Sequence, residues 1–145
     1  MVHLQPVTQD NYDDCLALKR EETRFVGNAR DVIADAYIYR EASLAYAICH
    51  EDDVIGLVIL GEQGKAHAYE FTNLFIADDY RNQGFGAKAV RAIIDHYIGK
   101  GAKSVHMQVH KANEVAIHVY QKCGFVVKGT SRWDEDFLVM EILLA

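Results

Sequence analysis

The residues at 78–88, DDYRNQGFGAK, bring together the ingredients of an anion site: a basic side chain at Arg81, glycines at 84 and 86, and then the start of an amphipathic segment. Glycine is placed where a side chain would obstruct a close approach to the backbone. The first turn of a helix leaves its N–H groups without partners and carries partial positive charge. A phosphate is the natural ligand of such a turn, and Arg81 adds a full charge beside it. The stretch reads as a pyrophosphate cradle, with an unliganded strand-to-helix turn as the plain alternative. Two other phosphate loops do not fit. A Walker A loop needs Gly-Lys followed by Ser or Thr, and Gly86 is followed by Ala87 and Lys88. A dinucleotide fingerprint has its third small residue here at Ala89, but it normally follows the first strand of its domain. This loop comes after four candidate strands and two candidate helices.

The elements that must hold the loop follow from periodicity. VHLQPV reads as a strand, after which Thr8 caps a helix carrying Cys15, Leu16 and Leu18. A second helix starts after Asn28, with Val32, Ile33, Ala36 and Tyr37 at helical spacing. SLAYAICH and DVIGLVIL flank EDD as a hairpin, and AHAYEFTNLFIA is a long extended run leading into the loop. A helix from about Gly84 to Gly99 places Val90, Ile93, Ile94, Tyr97 and Ile98 on one side, the pattern of a helix laid on a sheet. A strand at SVHMQVH, a helix from Asn113 to Lys122 and two strands around SRWDED complete the chain. The order predicts a mixed α/β fold with antiparallel strands early and a parallel βαβ pair late.

Composition bounds the function. The 145 residues suit one domain with a sizeable core. No run approaches the roughly 20 apolar residues of a membrane span, and the first residues lack the basic and apolar regions of a signal peptide. A soluble, cytoplasmic protein is expected, with no membrane partner. A formal charge of -6 disfavours a broad nucleic-acid surface. The cysteines at 15, 49 and 123 are odd in number and widely spaced, as in reduced cytosolic thiols, and Cys49 and Cys123 suit core positions. His106 and His110, four apart on a strand, lie roughly 13 Å apart, too far to share a zinc ion. No metal site is expected.

RNQGFGAK after NLFIADDY resembles the acetyl-CoA loop of the GCN5-related N-acetyltransferases, and NEVAIHVYQKCGF is similar to that family's second landmark, an Asn followed by Ala, Tyr and a Gly-Phe pair. The two landmarks lie in the family's order, and the resemblance covers nearly the whole chain. HLQPVTQDNYDDCLAL and FVGNARDVIADAY further resemble the spermine, spermidine and diamine acetyltransferases of the superfamily. The resemblance implies a mostly antiparallel sheet of six to seven strands with a splayed parallel pair, flanked by about four helices. It implies acetyl-CoA as co-substrate, with the backbone at Leu74, Phe75 and Ile76 pairing with the pantetheine arm. Arg81 and the amides of Asn82, Gln83, Gly84, Phe85, Gly86 and Ala87 would hold the pyrophosphate, and Asn113 would touch the arm. Many relatives pair, so a homodimer is expected.

The implied chemistry is aminolysis of a thioester, with a small-molecule amine attacking directly in a ternary complex. An alkylammonium with a pKa near 10.4 must first lose a proton. Glu70 is the candidate base, acting directly or through water. The departing thiolate, near 8.5, can be met by a phenol, and Tyr120 occupies the family's position for that acid. Packing alone is the plain alternative for Tyr120, and an exposed strand carboxylate that for Glu70. Several polyamine-type relatives carry an acid where this chain has Thr72, so the base is open between Glu70, water and another residue, and Thr72 is a candidate for the acceptor site. Glu21 and Glu22 on the first helix are further candidates for the acceptor site. The run Asp134, Glu135, Asp136 either draws a cation or is a solvated turn. A polyamine or diamine is the preferred acceptor, with an amino acid, an aminoglycoside or a peptide N terminus as the alternative, and outside the enzyme class an acyl-CoA sensor.

Overall fold

The computed structural model describes residues 1–144. Along the chain run β1 (Val2–Pro6), α1 (Tyr12–Leu16), α2 (Ala29–Ile38), β2 (Ser43–His50), β3 (Asp53–Gly61) and β4 (Ala68–Ile76). A short 3-10 turn (Asp78–Tyr80) then leads to α3 (Phe85–Gly99), β5 (Ser104–His110), α4 (Glu114–Lys122), β6 (Val126–Thr130) and β7 (Phe137–Leu143). The strands form one sheet in the order β1-β2-β3-β4-β5-β7-β6. Every neighbouring pair is antiparallel except β4 and β5. The expected mixed α/β architecture is therefore the observed one, down to the βαβ unit through α3.

β2 and β3 read as unbroken apolar runs because both faces of the sheet are covered there. Tyr46, Ile48, Ile55, Val58 and Leu60 join Val90, Ile93 and Tyr97 of α3 on one face. Ala45, Ala47, Cys49, Leu57 and Ile59 meet Cys15 of α1 and Val32 and Ala36 of α2 on the other. Burial pushes the Cys15 thiol up to about 11, with Cys49 and Asp14 adding to the shift, so this thiol is protonated and inert at neutral pH. Cys123 is only half-buried, a lesser core residue than its spacing suggested.

The helices differ from expectation at their ends. Asn11, not Thr8, stands at the N-cap of α1. Thr8 instead closes the turn before it, its Oγ1 accepting from the Asp10 N–H at 3.2 Å. α1 ends at Leu16, so Leu18 lies beyond it. Asn28 caps α2 as expected, in a reciprocal capping box with Asp31. Tyr37 is 62% exposed rather than packed, and the Arg40 guanidinium lies over its ring at 4.2 Å. On α3 the buried stripe is Ala89, Val90, Ile93 and Tyr97, while Ile98 faces solvent at the last turn.

β4 changes its parity midway. Leu57 pairs with Phe75 and Ile59 with Thr72, so two β4 residues, Asn73 and Leu74, oppose a single residue of β3. Asn73 takes the left-handed φ of 56° that a bulge of this kind requires. Phe71 and Phe75, four apart, would share a face in a regular strand. Across the bulge they do not, and Phe71 packs with α3 and α4 while Phe75 packs with α1 and α2. β5 stays with β4 only from Ala68 to Glu70, paired with Ser104 to His106. Beyond Glu70 the two strands part, leaving the outer edge of β4 unpaired up to Ile76. Tyr97 fixes the point of divergence from below, its buried hydroxyl donating to the Glu70 carbonyl at 2.6 Å and lying 3.1 Å from that of Gly61.

At the far end of α3, Glu62 receives Lys100 Nζ at 2.6 Å and the Tyr46 hydroxyl at 2.8 Å. Burial alone would raise this carboxyl, but the bonds from Lys100 and Tyr46 outweigh it and hold it below the usual range. Its contribution is full above the ordinary carboxylate pKa and is lost as pH falls through the lowered folded value. Glu62→Gln is expected to cost about 1–2 kcal/mol at pH 7 and clearly less near pH 3, read by urea unfolding at both pH values. An equal cost at the two pH values would assign the effect to packing instead.

Candidate active site

Between the 3-10 turn and α3, Asn82 and Gly84 both adopt left-handed φ, 62° and 82°. Such residues curl successive N–H groups toward one concavity. The first amide of the stretch to find a carbonyl is that of Lys88, on Gly84 at 3.3 Å, and those of Asn82 through Ala87 have none among the described residues. No side chain caps α3 either. Burial of Val90, Ile93 and Tyr97 fixes the helix, so its bare N-terminus is held in place by the core rather than by a cap. Arg81 stands at its rim, 3.9 Å from Asp78 and half-exposed, free to turn toward an anion. Sequence reasoning found both glycines and missed the left-handed Asn82, whose side-chain type is only mildly suggestive of that conformation.

From this concavity the unpaired edge of β4 runs along Ile76, Phe75 and Leu74, which line a narrow cleft together with Arg81 and Asn113. Asn113 caps α4, its Oδ1 accepting from the Ala116 N–H at 3.3 Å, and lines the cleft. Phe25, Val26, Leu74 and Asn113 also border a larger cavity of about 440 Å³ where β4 and β5 diverge. Tyr120, Glu70 and Thr72 all line that second cavity. The splay thus joins the bare helix terminus to the side chains expected to do chemistry.

Tyr120 is buried, its ring edge-on to Phe71 and Phe125, each at 6.0 Å between centroids. Its hydroxyl has no hydrogen-bond partner among the described residues. Burial pushes the phenol well above its ordinary value, so it holds its proton throughout the neutral range. Glu70 lies on the opposite face of β4 from Phe71, with its side chain 55% exposed and its Oε2 3.4 Å from His106 Nε2. His106 holds this carboxyl below the usual range against the opposing effect of burial. Thr72 follows on the same face before the bulge. Aromatic rings of Phe25, Trp133 and Phe137 and the carboxylate of Asp134 close the outer side.

One expected placement is corrected here. Glu21 and Glu22 are not on the first helix, which has ended at Leu16, and neither borders the Tyr120 cavity. The segment after α1 is pinned to the 3-10 turn by Asp78, whose N–H donates to the Lys19 carbonyl at 2.9 Å and whose Oδ2 accepts from the Glu21 N–H at 2.7 Å. Both glutamates accordingly lie near Arg81 and Asn82. The acidic run at 134–136 also divides. Asp136 is taken by Lys111 at 3.0 Å, while Asp134 faces the cavity. Phe25 and Trp133 were missed. Trp133, 82% exposed in a turn of charged residues, was the visible signal, because an apolar ring there has no core to serve. Among the described residues no group of three His, Cys, Asp or Glu could hold a metal ion, and no helix is long and apolar enough to cross a membrane.

Solved structures share this architecture. A spermidine N-acetyltransferase from Vibrio cholerae, in complex with CoA and spermine, superposes with a TM-score of 0.72 at 22% identity, covering 98% of this chain and 95% of the other. A Bacillus subtilis acetyltransferase in complex with CoA gives 0.71 at 16% identity, with 100% of both chains covered. The sequence model of the Acetyltransferase (GNAT) family matches residues 10–125, and the chain belongs to that family. Among similar sequences, the Spermidine N(1)-acetyltransferase of Escherichia coli K12 is 27% identical over 96 residues. That match takes in 66% of this chain and 52% of the E. coli enzyme, so the chain spans about half the length of that relative. The Spermine/spermidine N(1)-acetyltransferase of Bacillus subtilis 168 is 25% identical over 140 residues, 88% of this chain and 90% of the relative.

Proposed function

We propose that this chain is a single-domain N-acetyltransferase that moves acetyl from acetyl-CoA to a primary amine in a ternary complex, with a polyamine or diamine as acceptor. One observation carries the reading: the partnerless amides of Asn82 to Ala87 and the Tyr120 hydroxyl stand at the two ends of the unpaired β4 edge. The amides and Arg81 take the pyrophosphate, where the dipole of α3 adds to their attraction. The β4 backbone at Leu74 to Ile76 and the amide of Asn113 guide the pantetheine arm, and a strand N–H near Ile76 meets charge developing on the acetyl oxygen. Glu70 draws the proton from the amine, and Tyr120 supplies one to the sulfur. None of these roles calls for a metal.

A cationic acceptor is supported by the cavity wall. Glu70 and Asp134 provide two carboxylates, and Phe25, Trp133 and Phe137 provide rings over which an ammonium is attracted. The similarity to spermidine and spermine acetyltransferases points the same way. Thr72 is a neutral contact on the same wall. A cytoplasmic homodimer belongs to the same reading, and sedimentation of the purified chain tests the pairing.

A CoA-release assay across spermidine, spermine, putrescine, amino acids and short peptides tests the acceptor. Polyamines are expected to exceed single amino acids by at least about 10-fold in kcat/KM, the equivalent of 1.4 kcal/mol of preferential transition-state binding. Equal weak rates on every amine would remove the polyamine assignment and leave amine acetylation standing.

A further inference from the structure

Glu70 is the first of a row of charged side chains that crosses the open face of the sheet. His106 on β5 is its register partner, with Nε2 3.4 Å from Glu70 Oε2. Glu141 on β7 is in turn the register partner of His106, and Lys128 on β6 brings its ammonium 4.0 Å from Glu141 Oε1. Carboxylate, imidazole, carboxylate and ammonium therefore follow one another over four neighbouring strands. The helices α3 and α4 cover the other face of these strands, where Met107 and its partner Met140 are buried. On the near face α1 and α2 pack against β2 and β3.

We propose that His106 is a positioning residue for acetyl transfer, orienting the Glu70 carboxylate toward the amine and carrying the proton that Glu70 collects out to solvent. The proposal rests on the amine-acetyltransferase reading above. Glu70 alone is poorly suited to end the proton's path. A glutamate carboxyl ordinarily titrates near 4.3, so a proton taken from an ammonium near 10.4 does not stay on it at neutral pH. Water reaches the half-exposed Glu70 directly, and His106, its ion-pair partner among the described residues, offers a second acceptor at a fixed position.

The groups facing His106 favour this role. From β4 comes Glu70, from β7 Glu141, and beyond it from β6 Lys128, while Gln108 is the next residue of β5 on the same face. The ring thus lies between Glu70, 3.4 Å from its Nε2, and Glu141, its register partner on β7, and the Glu70 contact fixes its orientation. The ring is a third exposed, so water reaches it.

The protons balance. With the ring proton on Nδ1, Nε2 is open to accept. One proton leaves the ammonium nitrogen for a Glu70 oxygen and passes to His106 Nε2, the Nδ1 proton departs to water, and the neutral ring regains its starting tautomer by exchange with solvent before the next turnover. The freed lone pair forms the C–N bond as the thioester C–S bond breaks. A second N–H proton ends on the sulfur by way of the Tyr120 hydroxyl, which gives one proton and regains one. One proton is released per acetyl moved, and nothing is oxidised or reduced.

The experiment measures kcat/KM against pH for the full chain, for His106→Gln and for His106→Ala, using the best acceptor of the CoA-release assay. His106→Gln is expected to lose about 10- to 100-fold at pH 7 with the KM for acetyl-CoA unchanged. The loss should shrink toward alkaline pH, where the amine arrives already neutral. Millimolar imidazole should restore part of the His106→Ala rate. Identical pH profiles for wild type and His106→Gln would overturn the relay, as would a loss uniform in pH and untouched by imidazole; the contact would then be an ordinary cross-strand pair. A wild-type chain that binds acetyl-CoA and acetylates no amine at any pH would overturn the functional reading and the relay with it.

Discussion

Gly86→Asp should leave the chain as stable as wild type and weaken acetyl-CoA binding by at least about 100-fold, or ~2.7 kcal/mol. The two halves of this result have opposite signs for one reason. Residue 86 lies in the first turn of α3, where a built Cβ meets only Val119 Cγ1 at 3.9 Å, an ordinary contact. A carboxylate there interacts favourably with the helix dipole, by about 0.3–1 kcal/mol, and replacing an interior glycine adds a few tenths. The free protein loses nothing. The same negative charge occupies the mouth of the concavity formed by the amides of Asn82 to Ala87, where a diphosphate would have to sit. Thermal melts and titration calorimetry on one preparation read both quantities. Unchanged affinity would show that the turn holds no phosphate, and the proposed chemistry would go with it.

Tyr120→Phe is expected to lower kcat by about 10²–10³ while leaving the affinity for acetyl-CoA within about 2-fold, a loss confined to the transition state. The substitution removes one oxygen and keeps the ring between Phe71 and Phe125. Stability should hardly change, because no hydrogen bond within the described residues is lost. Burial pushes the wild-type phenol upward, so its protonation adds no limb to the pH–rate profile below about pH 10. Steady-state kinetics alongside calorimetry separates the roles. Full turnover by Tyr120→Phe would reduce the residue to packing, and a chain that binds acetyl-CoA but never turns over would be a sensor.

Local chemistry was the legible part of this fold. Asn28 announced α2 because its side chain competes for the same backbone N–H groups that a helix start leaves open. SVHMQVH gave β5 its full extent because alternate residues face a helix-covered core and a more open surface. The glycines at 84 and 86 marked the start of α3 for the same local reason. What stayed hidden depends on partners distant in sequence. α1 stops at Leu16 because Lys19 and Glu21 are tied to Asp78, nearly sixty residues on, and no local pattern encodes that tie. The pairing of Glu70 with His106 requires knowing that β4 and β5 are parallel and in which register. Phe25 and Trp133 reach the cavity from loops, where periodicity says nothing about direction.

The extra residue at Asn73 divides β4 into two independent half-strands. Up to Thr72, the side chains of Glu70 and Thr72 face the cavity proposed for the amine, whereas from Leu74 onward it is the main-chain edge that is proposed to meet the thioester's carrier. On the proposed function, drift in the first half would retune which amine is accepted while the second half kept its grip on the donor. Deleting Asn73 would turn the donor half over, so acceptor preference is open to evolution by substitution and closed to it by deletion at this point.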